Sequence, residues 1–204
     1  MSPSDQIAEA IEAFLEHDGI LRFQEALDSG VSRHTLRTML AEEVVERLTR
    51  GVYRLTDLPP LERPDLVAVA TRVPEAVVCL VSALSFHDIT TQIPHEVSLA
   101  LNHWMQRHPP AIEHPPIRVF WFGKEAYEAG IEPHTFSGVH VQVYSPEKTI
   151  ADCFKFRNKI GLDVALEGLR LHHEQNGVHV DELMRFARIC RVQQVIRPYL
   201  EAIL

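Results

Sequence analysis

The stretch GVSRHTLRTMLAEEVVERLTRGVYRLTD, residues 30–57, decides the fold of the N-terminal part of the chain. Ser32 is a favourable N-cap, and the apolar residues after it recur at helical spacing, which predicts a third helix beginning at about Arg33. After Glu43 the period of the pattern changes to two, as in a strand. The Arg50–Gly51 pair then predicts a tight turn into a second short strand, so a β-hairpin with a basic tip is expected here.

Two helices are predicted before this stretch. The first runs from about Ser4 to His17, because apolar residues recur there every three or four positions. A shorter helix is expected from Arg22 to Asp28, followed by a glycine-containing turn. Helix, short helix, turn, capped helix and hairpin follow one another in the order of a winged helix-turn-helix.

A winged helix-turn-helix predicts DNA binding, because its capped helix fits the major groove and its hairpin lies along the backbone. Arg33 and Arg37 are four residues apart, so both are expected on one outer face of the helix. The arginines of the hairpin are expected at phosphates, where they set register. The predicted DNA-binding residues are Ser32, Arg33, His34, Thr35, Arg37, Thr38, Arg47, Arg50 and Arg54.

The charge distribution favours a local DNA-binding surface over a generally basic protein. The chain has a formal net charge of −8. Residues 1–28 carry one arginine and seven acidic residues, whereas residues 29–56 carry five arginines and three glutamates. Any DNA-binding patch must therefore be local. The three well-separated cysteines predict reduced core residues, and no membrane span or secretory signal is expected, so the predicted localisation is cytoplasmic.

The predicted domain organisation is a winged helix-turn-helix over residues 1–57, a proline-rich linker over 58–65 and a second domain over 66–204. In the second domain, strands are predicted at Glu75–Leu80, Glu96–Leu101, Ile117–Phe122 and Val139–Tyr144, with a helix capped by Ser82 after the first strand and an exposed loop over residues 102–116. Ser145 and Pro146 predict the start of a helix, and the rest of the chain is predicted to be helical. The expected fold class is α+β, with a small mixed sheet followed by a helical C-terminal tail.

No motif in the sequence predicts catalysis or a cofactor. Ser82, His87 and Asp88 are residue types found in hydrolases, but the nucleophile-elbow motif is absent and a surface helix is the simpler interpretation. His172, His173 and His179 lack cysteines at ligand spacing, and adjacent histidines on a helix point in different directions, so no metal site is predicted. We therefore expect a protein that is not an enzyme, with no cofactor and no bound metal.

The order of these segments resembles the AbiEi-type antitoxins of type IV abortive-infection toxin–antitoxin systems, which act in phage defence. Residues 30–57 resemble the winged helix of that family. Residues 74–101, PEAVVCLVSALSFHDITTQIPHEVSLAL, and residues 137–156, SGVHVQVYSPEKTIADCFKF, resemble segments of its antitoxin domain. The resemblance implies a repressor that binds its own promoter as double-stranded DNA. It also implies an antitoxin that neutralises a nucleotidyltransferase-like toxin, with or without forming a stable complex with it.

The resemblance further implies a basic surface in the second domain. The predicted antitoxin surface consists of Lys148, Lys155, Arg157 and Lys159, which cluster over about three turns; a solvated helix face is the competing interpretation. Further basic residues in the strand region are Arg107, Arg118 and Lys124. A stand-alone winged-helix regulator, whose second domain senses a ligand or dimerises, stays open as an alternative function. An enzyme that uses the winged helix for docking is disfavoured, because the sequence shows no convergent set of polar groups.

Overall fold

The computed structural model describes residues 3–104, 108–177 and 179–203. The chain divides into two compact units. Unit 1 comprises residues 1–74 together with 111–115 and 135–141, and unit 2 comprises the remaining residues. The fold class is α+β, as predicted, with helices and a small sheet in the N-terminal part, a second sheet after it and helices at the C-terminal end.

Unit 1 begins with three helices and a three-stranded antiparallel sheet. Its elements, in chain order, are α1 Pro3–Leu15, β1 Ile20–Arg22, α2 Phe23–Asp28, α3 Arg33–Ala41, β2 Val45–Thr49, β3 Val52–Leu55 and α4 Pro64–Arg72. The strand order is β1-β3-β2, so the predicted hairpin of β2 and β3 gains a third strand. Together these elements form a winged helix-turn-helix, which confirms the predicted fold of this region.

The core of the winged helix is built from the periodic apolar residues. Phe14 of α1, Leu21 of β1 and Met39 of α3 are all fully buried in one cluster. Gly51 adopts φ +78° at the hairpin turn, a conformation that glycine reaches without steric cost. This packing fixes α3 against α1 and leaves the opposite face of α3 to solvent.

The helix α4 belongs to unit 1, whereas the sequence prediction placed residues 66–204 in the second domain. The physical reason is that Val67 on α4 is fully buried and packs with Ile20 of β1 and Val52 of β3. The strand β1 was not predicted, because three residues between two helices are too few to show an alternating pattern.

Unit 2 contains the second sheet and seven helices among its described residues. In chain order these are β4 Val77–Val78, α5 Leu80–Phe86, β5 Val97–Asn102, β6 Ile117–Phe122, α6 Lys124–Glu128, β7 Ile131–Phe136, β8 Val139–Tyr144, α7 Pro146–Lys155, α8 Arg157–Ile160, α9 Leu162–Asn176, α10 Val180–Ile189 and α11 Gln193–Ile203. The strands β7 and β8 extend into the segment 135–141 that groups with unit 1. No described helix is long and apolar enough to cross a bilayer.

The sheet of unit 2 is mixed and has the strand order β6-β5-β4-β8-β7. The pair β4–β5 is antiparallel, and the pairs β4–β8 and β5–β6 are parallel. The helix α7 packs against α5, α9 and α10. As predicted, Ser145 caps α7 by accepting a hydrogen bond from the Lys148 N–H, and Pro146 occupies the first turn. Every residue from Glu147 to Phe154 is buried, so α7 is the central helix of this unit.

Three predictions for unit 2 were wrong in detail. The strand predicted at Glu75–Leu80 is only two residues long, because α5 already begins at Leu80. Ser82 does not cap that helix, whose N-cap is Cys79. The buried hydroxyl of Ser82 instead donates a hydrogen bond to the Glu96 carbonyl and accepts one from the Ser98 N–H. The elements α6 and β7 were missed, and part of the predicted loop 102–116 lies outside the described residues.

Candidate nucleic-acid interface

The N-terminus of α3 is held by a side-chain cap. The Ser32 Oγ accepts a hydrogen bond from the Thr35 N–H at 3.0 Å, and the two hydroxyls lie 2.8 Å apart. This cap satisfies one of the amide donors that a helix start leaves unpaired. Thr35 is only 5% exposed, so this residue stabilises the helix start and does not belong to the outer face that was predicted for it.

The outer face of α3 presents three predicted residues to solvent: Arg33, His34 and Arg37 are all exposed. The guanidinium of Arg33 lies over the Phe23 ring, 5.5 Å from its centroid, which orients the side chain by a cation–π contact. Arg37 has no hydrogen-bond or ion-pair partner among residues 3–104, 108–177 and 179–203. Such a guanidinium keeps all its donors for a ligand.

Thr38 is half-buried one turn further along α3. Its hydroxyl donates to the His34 carbonyl at 3.2 Å, as threonines within helices often do. This bond leaves the hydroxyl oxygen able to accept a hydrogen bond. Thr38 therefore lies at the edge of the face formed by Arg33, His34 and Arg37.

The hairpin arginines fall into two groups. Arg47 and Arg50 are exposed, and Arg50 lies 3.8 Å from Glu113, with both side chains about two-thirds exposed. An ion pair as exposed as this contributes little and is readily exchanged for another anion. Both arginines remain available at the wing.

Arg54 is the exception, because its side chain is only 6% exposed. It faces Glu46 across the β2–β3 pair, and its Nη1 donates to the Glu46 Oε1 at 2.9 Å. Its Nη2 also donates to the Pro59 carbonyl. Arg54 thus ties the hairpin to the segment after it, and its predicted position on the DNA-binding surface does not fit this burial.

In unit 2, the predicted antitoxin surface is only partly exposed. Lys155 and Lys159 are exposed, and the Lys159 ammonium lies 5.7 Å from the centroid of the Phe156 ring. Arg157 is half-buried and donates to the Phe154 carbonyl at 2.9 Å. Of the other basic residues noted in the sequence, Arg107 lies outside the described residues.

Lys148 does not belong to that surface, because it is fully buried. Its Nζ lies 2.5 Å from the Asp152 Oδ2, and both side chains are 0% exposed. The ammonium also lies 3.8 Å from the centroid of the Tyr144 ring. Burial raises the pKa of Asp152, and the charge of Lys148 opposes that rise. Lys148 is therefore a structural residue at the centre of unit 2.

The cysteines are also structural. Cys79, Cys153 and Cys190 are free and buried. Burial raises the pKa of each thiol. Thiols in such surroundings are poor nucleophiles. The Cys190 thiol donates to the Asp152 Oδ1 at 3.1 Å, which gives the buried carboxylate a second partner.

The residue types that are typical of hydrolases are engaged in backbone contacts. The Nε2 of His87 lies 2.7 Å from the Tyr144 carbonyl oxygen, and burial lowers the pKa of His87. Ser82 bridges the backbone of Glu96 and Ser98, through the two hydrogen bonds of its hydroxyl. These bonds hold segments of unit 2 together, so both polar side chains have a structural role.

The N-terminal segment of the chain is similar to a known protein family. Comparison with curated proteins gives no significant match to the chain. Residues 9–56 match the family model described as "Transcriptional regulator, AbiEi antitoxin". The matched segment begins in the middle of α1 and continues to the residue after β3, so it contains the capped helix and the wing. Residues 9–56 are therefore similar to the AbiEi antitoxin transcriptional regulators, which confirms the resemblance predicted from the order of their elements.

Proposed function

We propose that this protein is the antitoxin of a type IV, AbiE-like toxin–antitoxin pair, and that it represses its own operon. In this proposal the winged helix of unit 1 binds promoter DNA in the cytoplasm. Unit 2 neutralises a nucleotidyltransferase-like toxin. The observation that carries the proposal is the exposed face of Arg33, His34 and Arg37 on a capped helix within the segment that matches the AbiEi family.

The proposed mode of DNA binding places α3 in the major groove. Arg33 and Arg37 lie one turn apart on the same face, so both guanidinium groups can reach neighbouring base edges. The N-terminus of α3 carries partial positive charge, which favours a phosphate near Ser32. Arg47 and Arg50 on the wing would contact the flanking backbone. Such contacts add affinity and register without sequence choice.

The experiment that tests this step compares Arg33→Ala/Arg37→Ala with the wild-type protein by fluorescence anisotropy on promoter DNA. Each arginine–guanine pair contributes about 1–3 kcal/mol of discrimination, so the double variant should bind the promoter at least about 30-fold more weakly. The matched control is Arg188→Ala/Arg197→Ala, which removes the same charge from exposed positions of unit 2. Equal losses in both variants would indicate a general charge effect and contradict the proposal.

The proposed antitoxin surface is reduced to Lys155, Lys159 and the half-buried Arg157, since Lys148 is buried. The resemblance implies that a basic surface of the second domain acts in neutralisation. A Lys155→Glu/Lys159→Glu variant should fail to rescue growth when it is co-expressed with the toxin encoded beside its gene, while promoter binding is retained. Arg170→Glu, an exposed change on α9, is the control. Full rescue by the Lys155/Lys159 variant would remove this surface from the proposal.

A second candidate function is a stand-alone winged-helix regulator whose unit 2 senses a ligand or dimerises. The observation that favours it is the cavity of about 340 Å³ in unit 2, lined by residues that include Trp121, Lys155 and Arg191. Cavities of this size accept small ligands. One simple observation distinguishes the two functions: only the antitoxin requires an adjacent gene whose product is toxic without this protein.

A further inference from the structure

We propose that unit 2 contains a binding site for a divalent transition-metal ion, Zn²⁺ in the first place, formed by Glu147, His179 and Glu182, with His172 orienting Glu147. The histidines have no cysteine at ligand spacing and therefore did not predict a metal site in the sequence. The structure brings two of them, His172 and His179, to a carboxylate on another helix. This inference is independent of the DNA-binding surface of unit 1.

The donor atoms converge on one carboxylate. The Nε2 of His172 and the Nδ1 of His179 each lie 3.2 Å from the same oxygen, Oε1 of Glu147. Ligand atoms of Glu147, His179 and Glu182 all lie within 4.8 Å of one another. Ligands of a tetrahedral Zn²⁺ stand about 2.0–2.2 Å from the ion and hence about 3.4 Å from each other. Small side-chain rotations would therefore close the site around an ion.

Two helices supply the ligands, and a third carries the histidine that orients Glu147. Glu147 lies in the first turn of α7, His172 on α9, and His179 and Glu182 at the start of α10. His179 occupies the N-cap position of α10 but makes no capping hydrogen bond with its side chain. Its imidazole is directed to Glu147 instead. The packing of α7 against α9 and α10 therefore holds the donors together from positions far apart in the sequence.

The charge and the donor types of the cluster suit a divalent cation. The two carboxylates carry a formal charge of −2, which a divalent ion neutralises. Nitrogen and oxygen donors of this kind bind Zn²⁺ and its neighbours in the first transition series.

The cluster combines buried residues, which hold the site in place, with exposed residues, past which an ion can enter. Glu147 and His172 are 5% and 4% exposed, so packing restrains them. The side chains of His179 and Glu182 are 77% and 45% exposed, which opens the site to solvent. Arg185 holds the Glu182 Oε1 at 3.1 Å and leaves the second oxygen for the metal.

Isothermal titration calorimetry of the untagged, metal-free full chain with ZnCl₂ tests the proposal, with bound zinc counted by elemental analysis after gel filtration. We expect one ion per chain. Glu147→Gln should weaken binding at least about 10-fold, because even outer-shell changes weaken metal sites by 10–100-fold. His179→Asn should do the same, and it changes a side chain that is 77% exposed. His173→Asn, a change at the neighbouring histidine, is the control and should bind normally.

A Co²⁺ titration adds a readout of geometry, since tetrahedral Co²⁺ gives strong visible absorption bands that disappear on addition of Zn²⁺. Circular dichroism of each variant checks that it is folded. If Glu147→Gln is unfolded, His179→Asn alone decides the question. Absence of saturable Zn²⁺ binding, or equal affinity in the wild type, His179→Asn and His173→Asn, would overturn the proposal.

Discussion

Replacing Lys148 by methionine should destabilise unit 2 strongly. Lys148 and Asp152 are both 0% exposed and lie 2.5 Å apart. Methionine keeps much of the side-chain volume but removes the ammonium, which leaves a buried carboxylate without its cation. Removing one partner of a buried ion pair costs about 3–5 kcal/mol. For a chain of this size that loss corresponds to a fall in Tm of about 6–20 °C.

The assay is thermal and urea denaturation followed by far-UV circular dichroism at neutral pH. Lys155→Met is the matched control, because Lys155 is exposed on the same helix, and its replacement should change stability by less than about 0.5 kcal/mol. The double variant Lys148→Met/Asp152→Asn should recover part of the loss, since it also removes the buried charge. If Lys148→Met unfolded with the wild-type Tm, the burial of this pair would be refuted.

The same variant should show a defined pH dependence. Burial raises the folded pKa of Asp152 above its ordinary value of 3.8, and loss of Lys148 should raise it further. A group whose folded pKa is raised contributes stability that is present at low pH and is lost as the pH rises through the folded pKa. The stability deficit of Lys148→Met relative to wild type should therefore shrink as the pH falls towards 4. A deficit that grew on acidification would contradict this sign.

Three further changes test the local structure. Ser32→Ala removes the α3 cap and should lower the free energy of unfolding of unit 1 by about 1 kcal/mol in urea denaturation; no change would mean that the cap is dispensable. Arg54→Leu should lower stability by about 1–3 kcal/mol, because Arg54 holds Glu46 and a backbone carbonyl, yet leave the promoter affinity of the folded protein unchanged. An affinity loss without a stability loss would place Arg54 on the DNA. Gly130→Ala should lower the Tm, because Gly130 has φ +72° and a Cβ there would lie 2.7 Å from the Lys148 Cβ; a neutral result would show that the chain relaxes at this point.

The winged helix could be predicted from the sequence because its signals are local. Ser32, the helical spacing after it and the Arg50–Gly51 turn each specify a few neighbouring residues, and together they specify the order of elements. The exposed face of α3 followed from the same periodicity. The burial of Thr35 and Arg54 could not be predicted from this periodicity, since each side chain depends on a partner that only the folded chain brings near.

In unit 2 the informative contacts are between distant segments, so the sequence pattern was a weaker guide. The burial of Lys148 had one sequence signal, an aspartate four residues later on the same predicted helix. The contact of the histidines with Glu147 could not be predicted, because they lie 25 and 32 positions away from it along the chain. Short elements such as β1 and α6 carry too few residues to show a period.

Fluorescence anisotropy of the purified protein on its own promoter DNA and on a scrambled duplex, over a salt series, tests the central claim most directly. A repressor that binds through α3 and the wing should bind the promoter tightly and the scrambled duplex weakly, and both affinities should fall as salt rises. The Arg33→Ala/Arg37→Ala variant should lose the difference between the two duplexes. Equal weak binding of the wild-type protein to both, or no binding to either, would contradict a role in operon repression.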